Sequence, residues 1–237
     1  MLWQGFRHLF MPGICFACHL PLPAQGGDFC ADCITRFTTD HLNACFRCSS
    51  TVGAFVDTND GCPKCRNESF GFERAFRLGP YEGLLRELIL RIKQPGNEAL
   101  TEAVGRCWAA DRETEIAAAR VNLVMPVPLH WQRRWRRGFN QCEILARSWA
   151  DRLRLPMRPR WLRRIRATPM QTSLTATARR ENVKGAFAAS RKSDFRGRSV
   201  LLIDDVMTTG STLSEAAKAI RRAGAASVIA AVLAHDH

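Results

Sequence analysis

The residues best suited to chemistry in this 237-residue chain lie within residues 200–213, VLLIDDVMTTGSTL. Residues 200–204 are apolar up to a final acid, which predicts a short buried strand of a parallel sheet. Residues 211–224 predict a helix that Ser211 or Thr212 could cap. Between strand and helix stand Asp204 and Asp205, followed by a small polar turn of five residues: Thr208, Thr209, Gly210, Ser211 and Thr212.

The acids and the turn predict different contacts to one ligand. In open α/β sheets, ligands bind outside the carboxyl ends of the strands, and the N–H groups of a helix N-terminus bind phosphate there. Because carboxylates repel phosphate, the two acids must face sugar hydroxyls or Mg²⁺ on the same ligand. A ribose 5-phosphate group meets both demands. The simpler alternative is an ordinary threonine-rich turn with acids on a solvated edge, which explains the turn but not the paired acids.

This segment resembles the phosphoribosyl pyrophosphate (PRPP) motif of type I phosphoribosyltransferases. The resemblance implies that Asp204 and Asp205 hold the ribose hydroxyls at the reacting centre, helped by Mg²⁺. It also implies that residues 208–212 hold the 5-phosphate. The implied reaction is displacement of pyrophosphate at the anomeric carbon by a nitrogen nucleophile, and the sequence does not identify that acceptor.

Four C-x-x-C pairs between residues 15 and 65 indicate metal binding. Two such pairs supply the four thiolates of a tetrahedral zinc site, so eight cysteines predict two structural zinc sites with no open ligand position. Redox motifs are an alternative that four closely spaced pairs disfavour. Sequential pairing is the simplest, and an interleaved pairing of the first and third pairs is also open. Sequential pairing assigns Cys15, Cys18, Cys30 and Cys33 to one zinc, and Cys45, Cys48, Cys62 and Cys65 to the other.

The elements around these residues predict a small module followed by a larger domain. Residues 1–70 are interpreted as a double zinc ribbon whose metal supplies much of its folding free energy. Residues 71–237 are interpreted as an α/β domain with a doubly wound, mostly parallel sheet. A strand or hairpin at residues 70–81 leads into helices at 82–94 and 97–114, interpreted as packing elements. The lone Cys107 and Cys142 are predicted to be small buried residues.

The net charge of +13 is concentrated in one part of the chain. Residues 121–199 carry nineteen basic and four acidic residues, a net charge of +15. Localised basicity favours an anionic partner, either phosphates or nucleic acid. Residues 121–129 predict a buried strand, followed by an arginine-rich loop at 130–141 and a helix. Arg133 and Arg137 of that loop would lie at the same sheet edge as Asp204 and neutralise a pyrophosphate leaving group.

Aromatic residues alternate with the arginines of this loop. Trp131, Trp135 and Phe139 could stack on the bases of single-stranded nucleic acid beside Arg134 and Arg136. The preferred interpretation is that the aromatics pack the loop against the sheet. Further on, residues 158–166 predict a strand, and residues 168–187 predict a mobile loop that could close over a substrate. Residues 226–234 predict the last buried strand.

The order of these motifs resembles the competence protein F (ComF) family over nearly the whole chain. A zinc ribbon precedes P-V-P-L, R-x-x-x-R-G-F-N-Q, T-x-x-Q, R-x-x-N-V-K-G-A-F and I-D-D-V-x-T-T-G-S-T. The resemblance implies a type I phosphoribosyltransferase fold and a part in the uptake of external single-stranded DNA, with a helicase and DNA-processing proteins as partners. One departure follows Lys93, where an aromatic residue is expected. Besides the acids and the turn, the matching residues are Val127, Pro128, Arg133, Arg137, Gly138, Phe139, Asn140, Gln141, Thr168, Gln171, Arg179, Asn182 and Phe187.

The sequence also bears on location and on alternative functions. No apolar run approaches the roughly 18–20 residues of a membrane span, and the first residues lack the pattern of a signal peptide. We therefore expect a cytoplasmic protein with reduced or metal-bound cysteines and no membrane insertion. One alternative is a non-catalytic single-stranded DNA-binding or docking protein whose PRPP site only senses a metabolite. Another is a zinc-ribbon scaffold that only recruits partners.

Overall fold

The computed structural model describes residues 13–23, 26–38, 44–166 and 181–236. Strands and helices alternate through most of these residues, as is typical of an α/β fold. In chain order they are α1 (Ala31–Thr38), β1 (Arg74–Pro80), α2 (Gly83–Arg91), α3 (Glu98–Asp111), α4 (Glu113–Ala118), β2 (Leu123–Pro126), α5 (Trp131–Arg137), α6 (Gln141–Leu153), β3 (Leu162–Arg164), β4 (Phe187–Ala189), β5 (Ser199–Met207), α7 (Ser211–Arg222) and β6 (Ser227–His235).

The centre of the fold is a parallel sheet in the order β1-β6-β5-β2. β5 pairs with β6 from Ser199 opposite Ser227 to Met207 opposite His235. Both strands are nearly continuous apolar runs whose side chains are buried. Such runs are expected where helices cover both faces of a parallel sheet. The predicted fold class is therefore confirmed. β5 extends to Met207, three residues beyond Asp204, which was expected to end it.

Helices bury the two faces of the sheet with separate sets of apolar side chains. On one face, α2, α3 and α6 pack against alternate residues of the central strands, and Trp108 meets Trp149 edge to face at 5.3 Å. On the other face, α7 contributes Leu213, Ala217 and Ile220. The division follows from the two-residue repeat of a strand. The antiparallel pair β3–β4 packs on the α7 side.

The two cysteine-rich segments pack on opposite sides of this sheet. Cys15 and Cys33 belong to the core that α2 and α3 share, and Arg106 binds Asp28 through two hydrogen bonds of 2.9 Å. The four cysteines between residues 45 and 65 belong to the core on the α7 side. Each cysteine-rich segment therefore completes one side of the main core, and the division of the chain at residue 70 stays a prediction.

Two local predictions are corrected by the structure. Residues 131–137 were predicted to be loop but form α5, because W-Q-R-R-W-R-R contains good helix formers and Gly138, with φ +81°, ends the helix. The N-cap of α7 is Gly210 with φ +71°, so the prediction that Ser211 or Thr212 caps the helix is wrong. Ser211 is already the first helical residue, and no side-chain hydrogen bond caps the helix at Gly210.

Part of the predicted substrate loop lies outside the described residues. This applies to residues 167–180, which include Thr168, Gln171 and Arg179 of the family motif. The remainder of the loop reaches β4 through a short helical turn at residues 181–183. Of residues 70–81, predicted as a strand or hairpin, residues 74–80 form the edge strand β1. Within the described ranges, no helix has the length and apolar character needed to cross a membrane.

Candidate functional site

Asp205 is held at the carboxyl end of β5 by three hydrogen-bond donors. Its Oδ2 accepts from Nζ of Lys93 at 3.2 Å and from Nε2 of Gln141 at 2.8 Å, and its Oδ1 accepts from the backbone N–H of Val206 at 2.7 Å. Burial alone would raise the pKa of this carboxyl group, but Lys93 and Gln141 outweigh burial and hold the pKa below its usual range. Asp205 is therefore an ionised carboxylate with a fixed orientation.

Asp204 has a different environment from its neighbour. Its Oδ1 accepts from the thiol of Cys142 at 3.3 Å and from the backbone N–H of Asp205 at 2.9 Å. Burial and the adjacent negative charge of Asp205 raise the pKa of Asp204 to about 7. Asp204 is half-buried, whereas Asp205 is buried. Near neutral pH, one acid of the pair is thus permanently charged and the other is close to its protonation midpoint.

The R-G-F-N-Q motif positions the partners of these acids. Asn140 caps α6 by accepting from the backbone N–H of Cys142 at 3.1 Å, and its Nδ2 donates to the carbonyl oxygen of Val127 at 3.3 Å. This cap fixes the start of α6 against the end of β2, which places Gln141 on Asp205 and Cys142 on Asp204. Arg137 donates to Oε1 of Gln141 at 3.0 Å. The motif thus supplies an oriented network at the sheet edge.

Lys93 is a site residue that sequence reasoning missed. The helix predicted over residues 82–94 was interpreted as a packing element, but α2 ends at Arg91 and the turn after it carries Lys93, which binds Asp205. Burial tends to lower the pKa of Lys93, yet Asp205 raises the pKa above the usual value. A lysine directly after an apolar stripe was the available signal, and its partner is more than a hundred positions away. Cys142, predicted only to be buried, is buried and also touches Asp204.

The predicted phosphate turn joins β5 to α7 at the same sheet edge. Gly210 adopts the left-handed conformation that a side chain rarely tolerates, and this directs the chain into the first turn of α7. The hydroxyl groups of Thr209 and Ser211 lie 2.7 Å apart, and the backbone N–H of Ser211 faces Oγ1 of Thr209 at 3.4 Å. A twelve-residue helix begins here. Its first N–H groups and these hydroxyls form a surface suited to an anion.

The structure places the basic segment beside the acids but corrects the packing of its tryptophans. Trp131 is 67% exposed and Trp135 is 85% exposed, so the interpretation that they pack against the sheet is wrong for both. The seven-residue helix α5 projects their side chains into solvent rather than into the core. Arg134 pairs with Glu143 at 2.8 Å, and Arg137 reaches the acid network through Gln141. The side chains of Arg133 and Arg136 lie outside the described part of the structure.

The eight paired cysteines come together in two groups that could hold metal ions. The described Sγ atoms within each group lie within 4.8 Å of one another, with sequential pairing of the C-x-x-C motifs. Backbone N–H groups point at the sulfurs: that of Cys30 at Cys15 at 3.4 Å, and that of Cys62 at Cys45 at 3.3 Å. Burial raises the pKa of the Cys45 thiol, but the N–H groups of Cys48 and Cys62 help to lower it to about 7. Four thiol donors converging on one point suit a tetrahedral metal site.

Comparison with known proteins identifies the family. The chain is 32% identical over 226 residues to the DNA utilization protein YhgH of Escherichia coli, covering 93% of this chain and 96% of that protein. It is 29% identical over 214 residues to competence protein F of Haemophilus influenzae, covering 89% and 91%. This chain belongs to the YhgH and competence protein F family. Both matches extend over most of this chain and of the relative.

Two further matches each concern a part of this YhgH-family protein. The phosphoribosyl transferase domain model matches residues 140–237, which hold Gln141, both acids and the turn before α7. A stretch of 37 residues is 60% identical to ribose-phosphate pyrophosphokinase of Nitrosomonas europaea, covering 16% of this chain and 12% of that enzyme. The predicted membership of the ComF family and the phosphoribosyltransferase fold are thus both confirmed.

Proposed function

We propose that this YhgH-family protein binds PRPP together with Mg²⁺ at the carboxyl end of β5, as part of the use of external DNA. The observation that carries the proposal is the pair of unlike carboxyl groups, Asp204 and Asp205, directly before a left-handed turn at a helix N-terminus. One ribose 5-phosphate needs acceptors for its hydroxyls and donors for its phosphate. The matched phosphoribosyl transferase domain covers both sets.

The two acids have separate roles in this proposal. Asp205, held by Lys93 and Gln141, provides a fixed negative charge and orients the backbone at the strand end. Asp204, which is half-buried, accepts from a ribose hydroxyl in its ionised form. Mg²⁺ bound with PRPP would supply additional positive charge against the pyrophosphate oxygens. Both acids lie at the reacting centre, where a phosphoribosyl transfer displaces pyrophosphate from the anomeric carbon.

The turn and the basic segment hold the two phosphorylated ends of the ligand. Residues 208–212 bind the 5-phosphate through backbone N–H groups and the hydroxyls of Thr208, Thr209, Ser211 and Thr212, with Gly210 allowing close approach. Arg133 and Arg137 neutralise the pyrophosphate, since guanidinium groups bind phosphate oxygens in pairs. Arg137 already belongs to the acid network through Gln141. Positive charge at the leaving group stabilises the transition state of such a displacement.

Calorimetric titration with PRPP and Mg²⁺ tests this site. We expect binding by the wild-type protein and a loss of at least about a hundredfold in affinity for the Asp204→Asn, Asp205→Asn double variant, because charged hydrogen bonds to the ligand are lost. Asp194→Asn, at an exposed acid that pairs with Arg196 before β5, serves as the matched control. Equal affinity of the double variant and the control would exclude this site assignment. Release of pyrophosphate then reports whether transfer occurs.

A second candidate function is supported by the exposed tryptophans. Trp131 and Trp135 project from a helix that also carries four arginines, and aromatic rings beside positive charge are the usual surface for single-stranded DNA. We propose direct single-stranded DNA binding by α5, with a helicase and DNA-processing proteins as further partners. This surface adjoins the PRPP site through Arg137, so both activities fit one protein. In the non-catalytic alternative, the PRPP site only senses a metabolite.

Salt dependence of oligonucleotide binding tests the second candidate. Fluorescence anisotropy with labelled single-stranded DNA should give an affinity that falls steeply with salt. Trp131→Ala with Trp135→Ala should weaken binding by about tenfold or more through lost stacking, without changing the salt slope. Arg134→Ala with Arg136→Ala should reduce the slope. An affinity that changes neither with salt concentration nor in the tryptophan variants would exclude α5 as the DNA surface.

Zinc is the metal that we propose for the two cysteine groups. Soft thiolate donors in sets of four favour Zn²⁺, and both sets consist of cysteine alone. With all positions filled by protein, each site is structural. We propose that metal binding folds residues 1–70 onto the α/β domain of residues 71–237, since the cysteines belong to its core.

A further inference from the structure

The segment after the second cysteine group packs directly on the turn before α7. Phe70 and Phe72 stack with ring centroids 4.6 Å apart and planes inclined by 11°. The position that a Cβ would take on Gly210 lies 3.1 Å from Cε1 of Phe70 and 3.5 Å from Cζ of Phe72. The aromatic pair therefore fills the space that a side chain on Gly210 would take, in the turn for which we propose phosphate binding.

Gly71, between the two rings, fastens this segment to the start of α7. Its N–H donates to Oγ of Ser214 at 2.9 Å. A Cβ on Gly71 would lie 2.4 Å from the carbonyl oxygen of Ser214 and 2.8 Å from the backbone nitrogen of Lys218, closer than real Cβ atoms come. The absence of a side chain lets the two backbones approach. Residues 70–72 thus contact both the turn and the first two turns of the helix behind it.

Arg47 connects this segment to the second cysteine group. It stands between Cys45 and Cys48, and its Nη1 donates to the carbonyl oxygen of Cys65 at 2.8 Å. Its Nη2 donates to the carbonyl oxygen of Glu68, and its guanidinium carbon lies 5.5 Å from the centroid of the Phe70 ring. Contacts therefore run without interruption from the cysteine group through Arg47 and Phe70 to Gly210.

The first cysteine group makes its contacts elsewhere. Cys15 and Cys33 pack with Phe29 and Phe37 in the core on the opposite face of the sheet. There, Nη1 of Arg91 donates to the carbonyl oxygen of Ala17 at 3.3 Å. The chain thus contains two groups of the same chemistry in different positions relative to the phosphate turn. One group can serve as the internal control for the other.

We propose that the Cys45–Cys65 group positions the phosphate-binding turn, so that metal loading of this group sets the affinity of the turn for ribose phosphate. The Cys15–Cys33 group has no such role. This inference rests on the proposed function and adds a regulator to the same site. A metal cross-links the two C-x-x-C turns that hold Arg47 and the chain leading to Phe70. Without it, the turn has to be ordered when ligand binds, and that ordering costs affinity.

Matched cysteine variants separate the two groups. Cys65→Ser and Cys33→Ser each remove the last, buried ligand of one group, and elemental analysis should show one zinc lost from each. Ribose 5-phosphate is the probe, measured by calorimetry, and hydrogen exchange of residues 207–214 is the second readout. Cys65→Ser should weaken binding by at least about tenfold and speed exchange in the turn, while Cys33→Ser should stay within about threefold of wild type. Equal changes in both variants would overturn the inference.

If Cys65→Ser does not fold, a variant that keeps all eight paired cysteines tests the inference instead. Phe70→Ala removes the contact on Gly210 but no metal ligand, and Phe29→Ala is the matched aromatic control in the first group. Phe70→Ala should keep full zinc content yet speed exchange in the turn and weaken binding. Unchanged exchange in Phe70→Ala would overturn the inference. If wild type binds no ribose 5-phosphate, the proposed function fails, and the exchange readout still decides whether the second group holds the turn.

Discussion

The ion pair between Lys93 and Asp205 makes a quantitative prediction about the site. Nζ and Oδ2 lie 3.2 Å apart, and the two side chains are 25% and 11% exposed. At an effective dielectric constant near 20, Coulomb's law gives an upper bound of about 5 kcal/mol for this pair. Exposed pairs contribute about 0–1 kcal/mol, whereas breaking a buried pair costs about 3–5 kcal/mol. For a pair of intermediate exposure we expect a coupling free energy of about 2 kcal/mol.

A double-mutant cycle measures that coupling. The variants are Lys93→Met, Asp205→Asn and their combination, and the readout is the free energy of unfolding by urea at pH 7. The matched control is the same cycle on Arg221 and Glu73, an exposed pair at 2.9 Å with side chains 43% and 52% exposed. It should give no more than about 0.5 kcal/mol. A coupling at Lys93 as small as that of the control would refute the reasoning.

The pH dependence of the same cycle gives a second check. Asp205 has a lowered pKa, so its contribution is present above the unfolded value of about 3.9 and is lost as pH falls through the folded pKa. Lys93 has a raised pKa, so its contribution is present below about 10.4 and is lost as pH rises through the folded pKa. In an Asp204→Asn background, which removes the neighbouring group with a pKa of about 7, the coupling should therefore be flat between about pH 5 and 9. A coupling that changes within that window would implicate another group.

Three further predictions concern Asp204, Gly210 and the metals. The pKa of Asp204 rises from 3.8 to about 7 on folding, so stability falls as pH rises through that window. Asp204→Asn should therefore be more stable than wild type at pH 8, by about 1–2 kcal/mol in urea unfolding, while losing PRPP binding. Gly210→Ala should destabilise by about 1–3 kcal/mol and weaken ribose 5-phosphate binding, because φ is +71° and the new methyl group meets Phe70. Elemental analysis should find about two zinc ions per chain, unchanged by Cys107→Ser and Cys142→Ser.

The parts of the fold that sequence predicts well are those set by local pattern. The apolar runs at β5 and β6 predict buried parallel strands, because helices that cover both faces of a sheet bury the side chains on both sides of each strand. Polar and apolar residues then do not alternate along the strand. The cysteine spacing predicts the metal groups because a C-x-x-C turn brings two thiols together whatever surrounds it. The acids and the turn are contiguous with β5, so their shared location follows once the strand is recognised.

The contacts that sequence did not predict join distant segments. Lys93 reaches Asp205 only because α2 ends near the carboxyl edge of β5, and no local pattern specifies that approach. The exposure of Trp131 and Trp135 has a similar origin, since none of the elements described here covers the outer face of this seven-residue helix. The contact of Phe70 with Gly210 depends on how the second cysteine group sits on the sheet.

The environment of the acids differs from what the simpler interpretation of the strand end predicts. In the simpler one, the acids lie on a solvated edge and have ordinary pKa values. Instead, Asp205 is 8% exposed with a lysine and a glutamine on one oxygen, and burial raises the pKa of Asp204 to about 7. Ionising Asp204 beside the charged Asp205 reduces the stability of the folded chain, because burial and the neighbouring charge disfavour its carboxylate form. Carboxyl groups with pKa values pushed apart in this way are typical of functional sites, where a ligand or cation supplies the missing positive charge. The ionised form of Asp204, which destabilises the free protein, should therefore strengthen binding of a magnesium-bound ribose phosphate.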